Sequence, residues 1–249
     1  MKYIVAIAHR GAHEHAPENT LAAYRAAIEL GADYVEIDIR RTKDDQYVSV
    51  HNGTVDGRTD GTGRVDELTL AELKALDAGR RFSPEFAGER IPTVDETLAL
   101  LSGRIGAYVD VKDAPPDVVV AFLRSHDMIS DSLIYAENDE LAAMRVIEPS
   151  IQVMPEYPGS IAGLRDLAKE MRPEVLAVSL IENLSEELVD AAHDLGMMVH
   201  ADVQSEAWDH PDGWAKAIET GLDGMQTDRP SVMIPWLESN GFRSGKRLR

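Results

Sequence analysis

The chain has 249 residues, 44% of them hydrophobic, which is enough apolar material for a large buried core and argues against global disorder. With 44 Asp and Glu against 25 Lys and Arg the net charge is −19, so nucleic acid and anionic membrane surfaces are disfavoured as partners by the body as a whole. The absence of cysteine excludes disulfides, thiolate metal sites and cysteine nucleophiles, and any metal must be held by oxygen or imidazole.

Taken in chain order, residues 3–8 form an apolar run that reads as a strand. The run is too short for a secretory signal core or a membrane span, so a cytoplasmic location without membrane insertion is expected. It ends on His9-Arg10-Gly11, and His13 and His15 follow closely. Helical spacing predicts a helix over 20–30, with Asn19 as its N-cap and Gly31 as its stop. Strand-like runs come next at 34–40 and 47–51, separated only by a short polar turn. A parallel neighbour needs a crossover, so 47–51 is expected as an extra strand near the mouth of the fold. Residues 52–92 break the pattern and read as an insertion. Beyond them helices are expected at 94–101, 117–126, 140–147, 161–171, 186–195 and 213–220. They alternate with strands at 107–112, 133–137, 151–156, 176–181, 198–203 and 224–227, and Ser185, Gly196 and Gly221 punctuate them. The stretch 232–237, with Trp236, either closes the fold or buries against another copy, so a homo-oligomer is compatible with the sequence. The basic tail 243–249 is expected to be disordered.

This alternation predicts an α/β chain: a (β/α)8 TIM barrel, a single domain over 1–249, with an insertion after the second barrel strand. A doubly wound open sheet is the other fold considered; the first βα turn lacks the Gly-x-Gly-x-x-Gly phosphate loop that such a sheet often carries.

Barrel strands are buried on both faces, so charges inside them require a reason. Val35, Ile37 and Ile39 share one face of their strand, and Glu36, Asp38 and Arg40 share the other. Asp110 and Lys112 oppose Val109 and Val111 in the same way. His9 and His51 each close a strand. With the apolar faces against helices, the polar ones converge at the C-terminal mouth of the barrel. Carboxylates gathered there cannot all ionise without compensation. Either a hard divalent cation supplies it, or Arg40, Lys112 or Arg10 does so in a buried ion network. Two histidines beside such a cluster are suited to proton transfer near neutral pH.

These residues resemble a known family. His9-Arg10-Gly11, Pro17-Glu18-Asn19-Thr20, Glu36-Ile37-Asp38, Thr42-Lys43-Asp44 and Val50-His51 follow, in order and spacing, the pattern of the glycerophosphodiester phosphodiesterases. Arg58-Thr59, Gly61-Thr62-Gly63, Pro92-Thr93, Asp223-Gly224 and Thr227-Asp228-Arg229-Pro230 continue it. The resemblance implies hydrolysis of a small-molecule glycerophosphodiester to glycerol 3-phosphate and an alcohol, with a divalent metal, Mg2+ or Ca2+. Carried over by position, His9 and His51 are the general acid and base, Glu36 and Asp38 bind metal with Asp110 as third ligand, and Arg10 holds phosphate. Lys112 is placed to neutralise phosphate oxygens beside it.

Three positions depart from the family pattern. Asn52 stands where an Asp usually follows the second histidine, Asp110 where a longer Glu is usual, and the strand 199–204 lacks a Trp-Thr-x-Asn pattern. Inward acids at Glu137, Glu156, Asp202 and Asp228 are read either as selectors of a cationic or polyol head group or as rim salt-bridge partners. The same residue set leaves room for a sugar phosphodiester or lysophospholipid substrate, or for a non-catalytic ligand-binding barrel marked by Asn52.

Overall fold

The computed structural model describes residues 2–243. Strands form where short β-branched and apolar runs alternate with amphipathic stretches: β1 (Val5–Ala8), β2 (Tyr34–Arg41), β3 (Tyr47–Ser49), β4 (Gly106–Val111), β5 (Ser132–Tyr135), β6 (Gln152–Val153), β7 (Val175–Val178), β8 (Met198–Asp202) and β9 (Gly224–Thr227). Those other than β3 pair in parallel in the order β6-β5-β4-β2-β1-β9-β8-β7. A parallel bridge between Glu156 and Ala177 brings the two ends together. It is made by Ala177 N–H donating to Pro155 O at 2.9 Å and Tyr157 N–H to Ala177 O at 2.8 Å. The result is a nearly closed eight-stranded barrel with helices between successive strands. Extra strand β3 pairs antiparallel with β2, Ile39 facing Ser49, because the polar turn between them holds no crossover.

Alternation along the strands sorts the core into layers. Val5, Ile7, Tyr108, Leu133, Met154 and Val175 fill the barrel interior. Val35, Ile37, Val109 and Ile134 face outward onto one group of helices. Leu176, Val199 and Met225 face outward onto the other.

Most helix boundaries match the sequence pattern. Val94–Leu101 and Ile161–Met171 coincide with it, and Ser185 caps Glu186–Asp194 by accepting from Leu188 N–H. Gly31, Gly196 and Gly221 all adopt positive φ just past helix ends. The first helix, Leu21–Glu29, is a correction: its N-cap is Thr20, which accepts from Ala23 N–H, and not Asn19. Asn19 instead takes a left-handed conformation, φ 54°, that turns its side chain into the barrel mouth. Arg243, the first residue of the basic tail, is also not disordered. It pairs with Asp33, donates to Gly31 O and covers the Tyr3 ring. The expectation for 244–249 lies outside the described residues.

The segment 52–92 packs Val55, Val65, Leu73 and Ile91 against Val48 and Val50 in a small separate core. It includes a helix the periodicity did not reveal, Leu70–Ala75, with a Thr69–Glu72 capping box.

Candidate active site

The strands deliver their last inward side chains to one mouth. Glu36 and Asp38 come from β2, and Asp110 from β4, where Asp38 and Asp110 are register partners. One carboxylate oxygen from each of the three lies within 4.8 Å of the others. Glu36 and Asp38 are 2% and 0% exposed, so their charges cannot be answered by bulk water. Burial, then the neighbouring Asp38 and Asp110, pushes the Glu36 carboxyl well above the usual range, and burial raises Asp110 too.

Lys112 donates to Asp110 at 2.6 Å and lies 3.3 Å from Asp38 Oδ1. That Asp38 oxygen is buried and has no hydrogen-bond partner among the described residues, so the Lys112 charge is what answers it. Arg40 turns away to the His51 carbonyl and Asp113. Arg10 gives Glu36 a backbone N–H, at 2.7 Å. Among the described residues, Lys112 is thus the one cation paired directly with this group of three carboxylates. An all-oxygen donor set of this kind fits a hard divalent cation such as Mg2+ or Ca2+. The shorter Asp110 still reaches the cluster. Asn19 fixes Asp38 from the far side, donating to Oδ2 at 2.8 Å, and is itself held by Tyr24 OH.

The histidines are oriented by different partners. His51 Nδ1 meets Asn52 Oδ1 at 2.9 Å, so Asn52 retains the contact its neutral amide can make. His9 Nδ1 meets Asp228 Oδ1 at 2.6 Å, which leaves the Nε2 side of the ring outside that contact. His13 Nε2 meets the same Asp228 oxygen at 2.9 Å, its ring edge-on to His9 with centroids 5.7 Å apart. His13 thus has a carboxylate partner in the fold. Its partner sits far along the chain, brought across by the β1–β9 pairing. His15 stays exposed, with Glu14 3.9 Å from it.

These contacts set the proton affinities. Burial lowers the His9 pKa, beyond what the Asp228 hydrogen bond restores. For His13 burial also opposes charge, but the Asp228 hydrogen bond and charge outweigh it and the pKa rises. Asp228 is held below the usual carboxylate range because the two imidazole hydrogen bonds outweigh its own desolvation. Asp209 anchors this end, accepting from Asp228 N–H, Thr227 OH and Trp214 indole N–H.

Arg10 has φ 53°, a strained setting for a non-glycine residue. Its guanidinium donates to Glu18 at 3.2 Å, and Arg58 lies 3.2 Å from the same Glu18 oxygen. On the opposite arc Glu156 accepts from Ser179 and Tyr135. Asp202 is pushed up to about 7 by burial and by Glu156, Asp110 and Asp228. Sequence reasoning did not foresee Asp228 as the His9 partner, Asn19 as the Asp38 partner, or Glu18 as the bridge between two arginines. The signals available were Thr227-Asp228 closing the last strand and Glu18-Asn19 before the first helix.

Comparison with known proteins agrees with this geometry. The sequence model of the glycerophosphoryl diester phosphodiesterase family matches residues 9–232. A glycerophosphodiester phosphodiesterase of Caldanaerobacter subterraneus subsp. tengcongensis is 31% identical over 97% of this chain and 100% of its own length. The solved structure of one from Agrobacterium tumefaciens is 27% identical with a TM-score of 0.79, covering 93% of this chain and 99% of that one. An Oleispira antarctica phosphodiesterase, solved in complex with the product sn-glycerol-3-phosphate, is 25% identical with a TM-score of 0.84, covering 95% and 97%. The chain belongs to the glycerophosphoryl diester phosphodiesterase family.

Proposed function

We propose that this phosphoric diester hydrolase converts glycerophosphodiesters to glycerol 3-phosphate and an alcohol, using a divalent cation, Mg2+ or Ca2+, and the histidine pair His9 and His51. The observation that carries the reading is the convergence of two buried carboxylates and the partly buried Asp110 at a barrel mouth also lined by two oriented histidines and by Arg10 and Lys112. Glu36, Asp38 and Asp110 would hold the cation, which when bound supplies Lewis-acid neutralisation of the phosphoryl oxygens. Arg10 and Lys112 add fixed positive charge against the same oxygens and against the charge that builds in the transition state.

Each histidine is held by Nδ1 and works through Nε2. One accepts the proton of the attacking hydroxyl, and the other gives a proton to the departing alkoxide. With the glycerol 2-hydroxyl as the attacker, the new P–O bond closes a cyclic phosphate as the P–O bond to the alcohol breaks. Water then opens the ring with the two histidines in exchanged roles. The low His9 pKa, set first by burial, keeps its imidazole neutral and ready to accept a proton near pH 7.

The test is release of glycerol 3-phosphate from glycerophosphocholine with Mg2+, Ca2+ or EDTA. Release should depend on metal and fall by about 10²-fold or more in His9→Ala and in His51→Ala. Turnover indifferent to EDTA would remove the metal from the reading. Full turnover in either alanine variant would remove the two-histidine mechanism.

A further inference from the structure

The insertion meets the loop after β1 around a cavity of about 320 Å3 that the mechanism does not use. Its walls include His13 and Glu18 on the barrel side and Arg58, Arg81 and Phe82 on the insertion side. A narrower pocket of about 30 Å3 shares Glu18 and Arg58 with it and runs on to His51 and Asn52. The cavity therefore starts one side chain from His9, through His13, and one from Arg10, through Glu18.

Its charge is unusual in a chain of net charge −19. Glu18 is the single acid in the wall, and it already serves both Arg10 and Arg58. Neighbouring Arg80 is answered by Asp77 at 3.6 Å. Arg81 has no hydrogen-bond or ion-pair partner among the described residues, although its loop is fixed. Asp77 accepts from Gly79, Arg80 and Gly88 N–H at 2.8 to 2.9 Å, and Phe82 packs edge-on against Phe86. An exposed guanidinium on a pinned loop, beside an aromatic side chain and open to a cavity, is suited to an anion. The opposite arc of the mouth is acidic, with Glu156 and Asp202, and suits hydroxyl donors while repelling a second anion.

We infer that the cavity between the insertion and the β1 loop receives the alcohol half of the diester, and that Arg81, with Arg58, selects alcohols carrying a second anionic group. The glycerol hydroxyls then face the acidic arc, and the phosphodiester sits between the two at Arg10. This deepens the proposed phosphodiesterase reading and rests on it for the position of the scissile phosphate.

A matched pair of substrates isolates the effect: glycerophosphoinositol and glycerophosphoinositol 4-phosphate, which differ only by the extra phosphate. With Mg2+ present the parent should turn over the phosphorylated diester with the higher kcat/KM. Arg81→Gln should lower that preference about two- to fivefold, through the phosphorylated diester more than through glycerophosphoinositol. Arg81→Lys, which keeps the charge, should retain most of the preference. Calorimetric binding of the same pair to the Mg2+-loaded His51→Ala protein, with and without Arg81→Gln, reads the site without turnover. Equal affinity for both diesters, or a preference that survives Arg81→Gln, would overturn the inference even if hydrolysis is intact. Absence of hydrolysis with an Arg81-dependent binding preference would instead overturn the proposed activity and keep the anion site.

Discussion

At the scale of single residues, the most informative group is Asp228, because one carboxylate oxygen serves two histidines whose proton affinities move in opposite directions. His13 binds its proton more tightly folded than unfolded, so its contribution to stability is fully present below its ordinary pKa of 6.5 and is lost as pH rises through the raised value. Asp228, held low, contributes above its ordinary 3.8 and loses that contribution as acid protonates it. Asp228→Asn should therefore cost most between about pH 4 and the raised His13 pKa, by about 1 kcal/mol once solvent screening of a partly exposed group is allowed for. Melting temperatures of parent and variant across pH 3 to 9 check this, and a difference that grows above pH 8 would contradict it. Histidine NMR in the same variant should show a lower His13 pKa than in the parent, since burial would then be opposed by the Glu18 charge without the larger effect of Asp228. The acidic triad was legible in the sequence because Glu36, Asp38 and Asp110 occupy strand positions where a charge is anomalous. The Asp228 pair was not. Its members are 215 and 219 residues apart, and only the closure of β9 onto β1 brings them together.

At the scale of elements, legibility follows period. β2 alternates so regularly that the outward Val35, Ile37 and Ile39 and the inward acids could be sorted from the sequence alone. The insertion has no such period. Its α-helix is six residues long, its two 3-10 helices are three residues each, and much of its order comes from side chains bonding to backbone, which no hydrophobic pattern records. Asn19 was misassigned for a related reason. Asn is a good helix cap by type, yet Thr20 sits at the position whose hydroxyl reaches Ala23 N–H, which frees Asn19 to adopt positive φ and grip Asp38. Asp77 is the clearest case of backbone organised by one side chain, since its two oxygens gather three N–H groups across the loop that carries Arg80 to Phe86. Asp77→Ala should release that loop while the barrel stays folded. Tryptic cleavage after Arg80 or Arg81 should accelerate roughly tenfold with little change in circular dichroism. Cleavage at the parent rate would show that the small core of the insertion holds the loop without Asp77.

At the scale of the whole molecule, the outer core divides into two bodies. One covers β2, β4, β5 and β6, and the other covers β7, β8 and β9. They meet where β1 joins β2 through two register pairs, and where the short β6 joins β7. Leu30, Ala32 and Met171 pack against both. The site is divided the same way. Glu36, Asp38 and Asp110 belong to the first body, whereas His9 follows β1, which is paired along its length with β9, and Asp228 follows β9. The β1–β2 pairing and the Arg10 N–H bond to Glu36 hold the histidine against the acids, and the β6–β7 seam closes the barrel on the opposite side. Glu174 stitches that seam, accepting from Val153 N–H at 3.1 Å and from Arg145 at 2.7 Å, the latter reaching across from helix Asn138–Ile147. Glu174→Ala should cost about 1 kcal/mol, given the partial exposure of the pair, and raise hydrogen exchange at Val153 about fivefold. Exchange within β2 and β4 should hold steady. Cation affinity and turnover should both hold as well, because the three carboxylates and His9 are tied together at the other side of the barrel. Calorimetric titration of Mg2+ beside steady-state rates checks both. Equal losses in both would mean that the barrel yields as one unit and not along its seams.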